Sequence, residues 1–170
     1  MPELDAHVTS PEPRLRILVV HGPNLNLLGA REPSVYGTTT LEAIDAALRR
    51  LGEALAVQVD CRQSNHEGVI IDWIHEAREH YDGLLLNPGG YTHGSVAIRD
   101  AVAGTGVPAV EVHLSNLLAR EGFRGRSRVA AACIGLVAGF GPASYELGLR
   151  GLVDYVRSRQ PAERRVRSGA

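Results

Sequence analysis

From Arg16 to Val156, short apolar runs alternate with stretches in which apolar residues recur every three or four positions. The runs Arg16–Val20, Val57–Cys61, Gly83–Asn87, Ala109–His113 and Cys133–Ala138 predict strands. Helical spacing carries Leu41, Ile44, Leu48, Leu51 and Leu55 behind Thr39-Thr40-Leu41-Glu42, which reads as a capping box. The same period returns over His66–His80, with Val69, Ile70, Trp73, Ile74 and Ala77 on one face, and over Ser95–Ala103. A short helix is expected over Leu117–Gly122. Gly141-Pro142 opens a last one, with Tyr145, Leu149, Leu152, Val153 and Val156 on its apolar side.

Strands that are apolar throughout and separated by helices belong in a parallel sheet covered on both faces, with right-handed crossovers. Five of them predict an α/β fold, a flavodoxin-like doubly wound five-stranded parallel sheet in three α/β/α layers. Such sheets bind ligands beyond the carboxyl ends of their strands. The pattern gives one domain, residues 15–159. Residues 1–14 and 160–170, polar and rich in proline or arginine, are expected to be flexible tails.

Composition narrows the chemistry. All 18 basic residues are arginine, so a Schiff-base lysine, a pyridoxal phosphate anchor and a Walker lysine are excluded. Cationic help must come from guanidinium groups, which stay charged and bind anions through a planar fork. A net charge of -1 gives no case for nucleic acid or membrane surfaces. With no apolar leader or span, the cytoplasm is the expected location. Cys61 and Cys133 stand far apart and outside any CxxC or Cys/His cluster, so they are expected as buried, reduced thiols, with no metal site.

The first strand is followed by an overlong connection, Gly22 to Gly37, punctuated by two prolines and three glycines yet carrying Asn24, Arg31 and Tyr36. Loops of that length are more often functional than connective. Polar residues also gather after the other strands. Arg62, Gln63, Ser64, Asn65 and His66 follow the second, Asn87 to His93 follow the third, and Glu111, His113 and Ser115 close the fourth. Glu111 and His113, two apart, leave the same face of a strand, where the carboxylate can orient the imidazole or raise its basicity. Tyr36 is a poor base at the ordinary phenol pKa of about 10. A guanidinium from Arg31 held near its oxygen would favour tyrosinate. Arg120 and Arg124 are either solvated or clamp an anion or hydroxyl; His7, His75 and His80 read as structural or solvated. Gly89-Gly90 and Gly139-Phe140-Gly141 lack dinucleotide spacing.

Taken together, the stretches GPNLNLLGAREPSVYG, RQSNHEGVIIDWIHEA, LNPGGYTHGSVAIRDA, VEVHLSN, AREGFR and GFGPASY resemble the type II 3-dehydroquinate dehydratases, from about Arg16 to about Val156. The resemblance implies a flavodoxin-like fold, a dodecamer built as four trimers, and cofactor-free, metal-free conversion of 3-dehydroquinate to 3-dehydroshikimate by anti elimination through an enolate. The unrelated type I enzyme uses a Schiff-base lysine, which this chain lacks.

The same resemblance implies roles. Tyr36 removes a C2 proton, activated by Arg31; His113, with Glu111 beside it, protonates the departing C1 hydroxyl; Asn24 stabilises the enolate through an ordered water. Asn87, His93 and Arg124 match hydroxyl-binding positions, and the Leu114 N–H and Ser115 match a carboxylate cradle. Asp100 matches an acidic residue reaching a neighbouring subunit's site, and Arg120 a lid-region arginine. Gly94 stands where relatives often have Thr, and Leu118 and Gly122 depart from a His-Ala-Arg-Glu-Glu-Phe-Arg segment. The two glycines are expected to loosen the segments carrying His93 and Arg124. From the fold alone, a flavodoxin-like FMN or nucleotide carrier competes, although the chain offers neither a Ser/Thr-rich phosphate loop nor aromatic flanks for a flavin. A catalytically dead scaffold is disfavoured by the presence of Asn24, Arg31, Tyr36, Glu111 and His113.

Overall fold

The computed structural model describes residues 14–30 and 38–160. The expected tails therefore lie outside the described residues, apart from Arg14 and Gln160. Five parallel strands, β1 (Leu15–His21), β2 (Val57–Gln63), β3 (Gly83–Asn87), β4 (Ala109–His113) and β5 (Gly135–Ala138), form one sheet in the order β2-β1-β3-β4-β5. The crossovers are α1 (Leu41–Ala54), α2 (Glu67–His80) and α3 (Val96–Thr105), and α4 (Ala143–Arg159) follows β5. This is the flavodoxin-like order, in which the chain reverses direction across the sheet between β1 and β3.

The period of two within each strand explains why the strands read as wholly apolar. Ile17, Val19, Leu85, Val110 and Val112 pack against α1 and α4, whereas Leu18, Val20, Leu84, Leu86 and Ala109 pack against α2 and α3. Each of the Val, Leu and Ile side chains among them, removed from water, contributes roughly 1.5–3 kcal/mol. α4 approaches β3 and β4 closely because Gly148 lies against them: an added Cβ would stand 2.6 Å from Val112 Cγ1 and 2.9 Å from Leu85 Cδ1.

Several element ends differ from the pattern's expectation by a residue or two, and three places differ in kind. The cap of α1 is Thr40, whose Oγ1 accepts from Ala43 N–H, so Glu42 falls one position short of completing a capping box. Leu117–Gly122 is not one short helix; 3-10 turns occupy Leu117–Ala119 and Gly122–Gly125 instead. β5 begins at Gly135 because Cys133 ends a turn in which its N–H bonds to the Ala130 carbonyl. Both cysteines are free thiols, half-buried rather than fully buried. Among the described residues no helix is long and apolar enough to cross a membrane.

Candidate active site

Parallel pairing aligns the carboxyl ends of the strands, with His21 opposite both Gln63 and Asn87. The loops leaving them are stitched together. Gly22 N–H donates to the Asn87 carbonyl at 2.7 Å, Gln63 Nε2 to the Gly22 carbonyl at 3.2 Å, and Asn65 Oδ1 accepts from Asn24 N–H at 2.9 Å. The approach is so close that a Cβ on Gly22 would stand 2.5 Å from the Pro88 backbone, so only glycine fits there.

Above this seam lies a cavity of about 500 Å³, the size of a small-molecule site. The loop after β1 contributes Pro23, Asn24 and Leu25; β3 and its loop contribute Asn87, Gly89, Gly90, His93 and Gly94. His113, Leu114, Ser115 and Leu117 line it from the end of β4, and Arg120, Phe123 and Arg124 from the turns beyond. Of the site residues expected from the sequence, Asn24, Asn87, His93, His113, Leu114, Ser115, Arg120 and Arg124 thus converge on one cavity. Arg31 and Tyr36 lie outside the described residues. Asp100 does not reach the cavity: it is exposed on α3, 3.8 Å from Arg99.

Glu111 stands behind the cavity wall, fully buried. One of its oxygens meets both Thr92 Oγ1 and His113 Nε2 at 2.5 Å, and the other accepts from Ser127 Oγ at 2.8 Å. A carboxylate only accepts, so the imidazole gives it the Nε2 proton, and Nδ1 has no partner among the described residues. The pair therefore does what its spacing on the strand promises, with Glu111 orienting His113. Thr92 and Ser127 complete the arrangement, and neither stands out in the sequence. Thr92 sits inside the loop beside His93 with no pattern of its own, and Ser127, sixteen residues beyond Glu111, carries no motif.

On the rim, His93 Nδ1 donates to the Arg126 carbonyl at 2.8 Å, Nε2 has no partner among the described residues, and its own carbonyl accepts from Arg128 Nε at 3.1 Å. Its ring meets Phe123 edge-on, with centroids 6.3 Å apart. Arg124 stacks over the same Phe123 and reaches Glu121 at 3.4 Å. Asn24 adopts the left-handed conformation, φ 67°, and its side chain makes no cap bond.

Among the described residues, the one group of His, Cys, Asp and Glu side chains close enough to share a metal ion is His21, Asp45 and Cys61. Both ring nitrogens of His21 are engaged at 2.8 Å, by Tyr145 and Asp45. Burial, with the neighbouring Asp45 charge second, pushes the Cys61 thiol well above its ordinary pKa, away from the thiolate a metal needs. The set is better satisfied as a hydrogen-bonded cluster than as ligands.

Comparison with known proteins adds independent findings. A model of the family described as dehydroquinase class II matches residues 15–153. The chain is 54% identical over 143 residues to the 3-dehydroquinate dehydratase of Trichodesmium erythraeum, covering 84% of this chain and 95% of that one. It is 55% identical to the enzyme of that name from a Nostoc species, covering 84% and 97%. Among solved structures, the type II dehydroquinase of Butyrivibrio crossotus superposes with a TM-score of 0.80 at 41% identity, over 83% of this chain and 98% of its own. That of Propionibacterium acnes gives 0.80 at 42%, over 84% and 98%. The span matched by the family model runs from the start of β1 into α4, taking in every element that lines the cavity, and the chain belongs to the class II dehydroquinase family.

Proposed function

We propose that the protein dehydrates 3-dehydroquinate to 3-dehydroshikimate and water by anti elimination through an enolate, in the shikimate pathway of aromatic amino acid biosynthesis. The observation that carries this reading is His113 on the cavity wall with its far nitrogen held by buried Glu111. Family membership sets aside the flavin or nucleotide carrier that the fold alone allowed.

The reaction breaks the C2–H bond first. Tyr36, activated by Arg31, takes the proton, and the electron pair moves onto the ketone as an enolate. Hydrogen-bond donors aimed at that oxygen lower the barrier, the part assigned to a water held by Asn24. Collapse of the enolate expels the C1 hydroxyl, which leaves as water with the Nδ1 proton of a His113 ring that carries a proton on both nitrogens and keeps the one on Nε2, toward Glu111, after the transfer. Asn87, His93 and Arg124 hold the hydroxyls, and the Leu114 N–H with Ser115 holds the carboxylate. Those of them that the structure describes lie around the one cavity, which supports their assignment; Arg31 and Tyr36 are outside the described residues. No step calls for a metal or cofactor, and none recruits nucleic acid or membrane.

Asp100 needs a neighbouring copy if it is to meet a substrate, and the dodecamer of four trimers would supply one. Exposed apolar residues on the open sheet edge, Ile134 and Leu136, together with Phe140 and Leu147, support self-association. Light scattering tests it, and a monomer would leave Asp100 without a site. The proposal also locates the enzyme in the cytoplasm, which cell fractionation checks.

Mixing purified protein with 3-dehydroquinate should raise the ultraviolet absorbance of the conjugated enone, at a rate unchanged by chelator. A flat trace from folded protein would refute the reading. Tyr36→Phe should suppress kcat by about 10²-fold or more with substrate binding kept, and near-normal turnover would remove Tyr36 from the base role.

A further inference from the structure

His21 and Tyr145 are fully buried and line no part of the cavity, yet they join a run of hydrogen bonds that ends at Asn87, which does line it. His21 Nε2 lies 2.8 Å from Asp45 Oδ1, and His21 Nδ1 lies 2.8 Å from the Tyr145 hydroxyl. Asn87 Nδ2 lies 3.0 Å from that hydroxyl, and Asn87 Oδ1 accepts from Gly89 N–H at 3.1 Å.

Both ends of this run have a single role. The Asp45 carboxylate only accepts and the Gly89 N–H only donates, so every bond between them must point the same way. Gly89 donates to Asn87, Asn87 to Tyr145, Tyr145 to His21 Nδ1, and His21 Nε2–H to Asp45. No other arrangement satisfies the groups. A proton on His21 Nδ1 would leave the Tyr145 hydroxyl receiving from two donors, with its own proton facing no acceptor among the described residues. An inverted Asn87 amide would set its NH₂ against the Gly89 N–H. Buried polar groups left in such a state are rare.

We propose that His21 and Tyr145 are positioning residues: they lock the Asn87 amide so that its second Nδ2–H, which has no acceptor among the described residues, is presented to a substrate hydroxyl oxygen. Asp45, on α1, sets the direction of the run from its far end. The identity of the substrate rests on the dehydratase reading, but the direction of the run does not.

A double-mutant cycle separates positioning from mere core stability. Tyr145→Phe keeps the ring and removes the hydroxyl, and should lower kcat/KM about tenfold, the effect of one hydrogen bond. In an Asn87→Ala background the same change should cost less than about twofold, because the group it orients is gone. Losses that multiply, or a folded Tyr145→Phe protein with unchanged kcat/KM, would overturn the proposal. If Tyr145→Phe does not fold, Asp45→Ala carries the same cycle from a half-buried helix position, with an expected loss of about threefold that vanishes beside Asn87→Ala. The His21 ring gives a readout free of catalysis. Nitrogen-15 NMR of the whole protein should show a neutral ring protonated at Nε2; a ring carrying its proton on Nδ1, or on both nitrogens, refutes the run whatever the activity. An unsubstituted protein inactive on 3-dehydroquinate would instead refute the functional reading, with the NMR result still deciding this one.

Discussion

Two buried polar networks meet the carboxyl end of the sheet from opposite faces, and they are built differently. Glu111 and His113 lie on the face covered by α2 and α3, where three donors converge on a single carboxylate. His21 and Asn87 lie on the face covered by α1 and α4, in a linear run from Asp45 to Gly89. A convergent network fixes one charge and thereby the ring beside it. A linear run carries no charge forward; it passes on only an orientation. The loop after β3 is clamped by both, at Gly89 on one face and at Thr92 on the other. The cavity floor is therefore set by the sheet's two sides at once.

The convergent network should be the more sensitive to substitution. Glu111→Gln removes the charge and puts an NH₂ in place of one acceptor oxygen; the Thr92 and Ser127 hydroxyls can turn to accept from it, but the Nε2–H of His113 loses its anionic acceptor. The imidazole then loses the partner that keeps Nδ1 for substrate, and kcat should fall by about 10²–10⁴ with KM little changed. Steady-state kinetics on a variant with unchanged circular dichroism measures this. A fall of less than tenfold would mean that Glu111 only fills the core. Thr92→Val removes one donor of three and keeps the shape, so a smaller fall, about tenfold, is expected. If Thr92→Val matched Glu111→Gln, the threonine rather than the carboxylate would hold the ring.

The same contrast explains what can be read from the chain alone. Apolar strands and amphipathic helices are legible because burial on two faces writes itself as composition and period. Glu111 and His113 are legible because two residues apart on a strand means one face, a local relation. The linear run is not, since its members sit 24, 124 and 58 residues apart and each has an ordinary local excuse. Tyr145 counts as one more apolar position on α4, and His21 falls between the first apolar run and the loop that begins at Gly22. Ser127 and Thr92 are hidden in the same way. The capping residue of α1 and the break at Arg120 and Glu121 escape the pattern because one-residue choices at element ends are made by tertiary contacts rather than by period.

Each network also has a thiol beside it, which lets the depth of the two faces be compared. Burial, with the Glu111 charge second, pushes the Cys133 thiol up to about 12, and burial beside Asp45 pushes Cys61 further still. A folded pKa above the unfolded value of 9.0 stabilises the fold in full below that value and loses its effect as pH rises through the folded pKa. Resistance to urea should therefore decline from about pH 9 upward. Neither thiol should react with iodoacetamide at pH 8 until the protein is unfolded, and at rising pH Cys133 should be labelled before Cys61. Mass spectrometry of the alkylated peptides reads the order. The reverse order would make the face carrying Asp45 the more open of the two.

The smallest effect is expected at Gly94, where both networks make a side chain immaterial. The sequence suggests that glycine at this position loosens His93. Yet the backbone there is ordinary, φ -126°, and an added Cβ meets nothing within 4 Å. His93 is held from elsewhere, through the Arg126 carbonyl and Arg128, while the two networks pin the loop at Gly89 and Thr92. Gly94→Thr should accordingly leave kcat within about twofold and shift stability by no more than about 0.5 kcal/mol. KM is the sensitive quantity, because the new side chain would stand at the cavity rim. A gain in melting temperature of several degrees would show that the loop draws part of its rigidity from this position, and that the two clamps alone do not hold it.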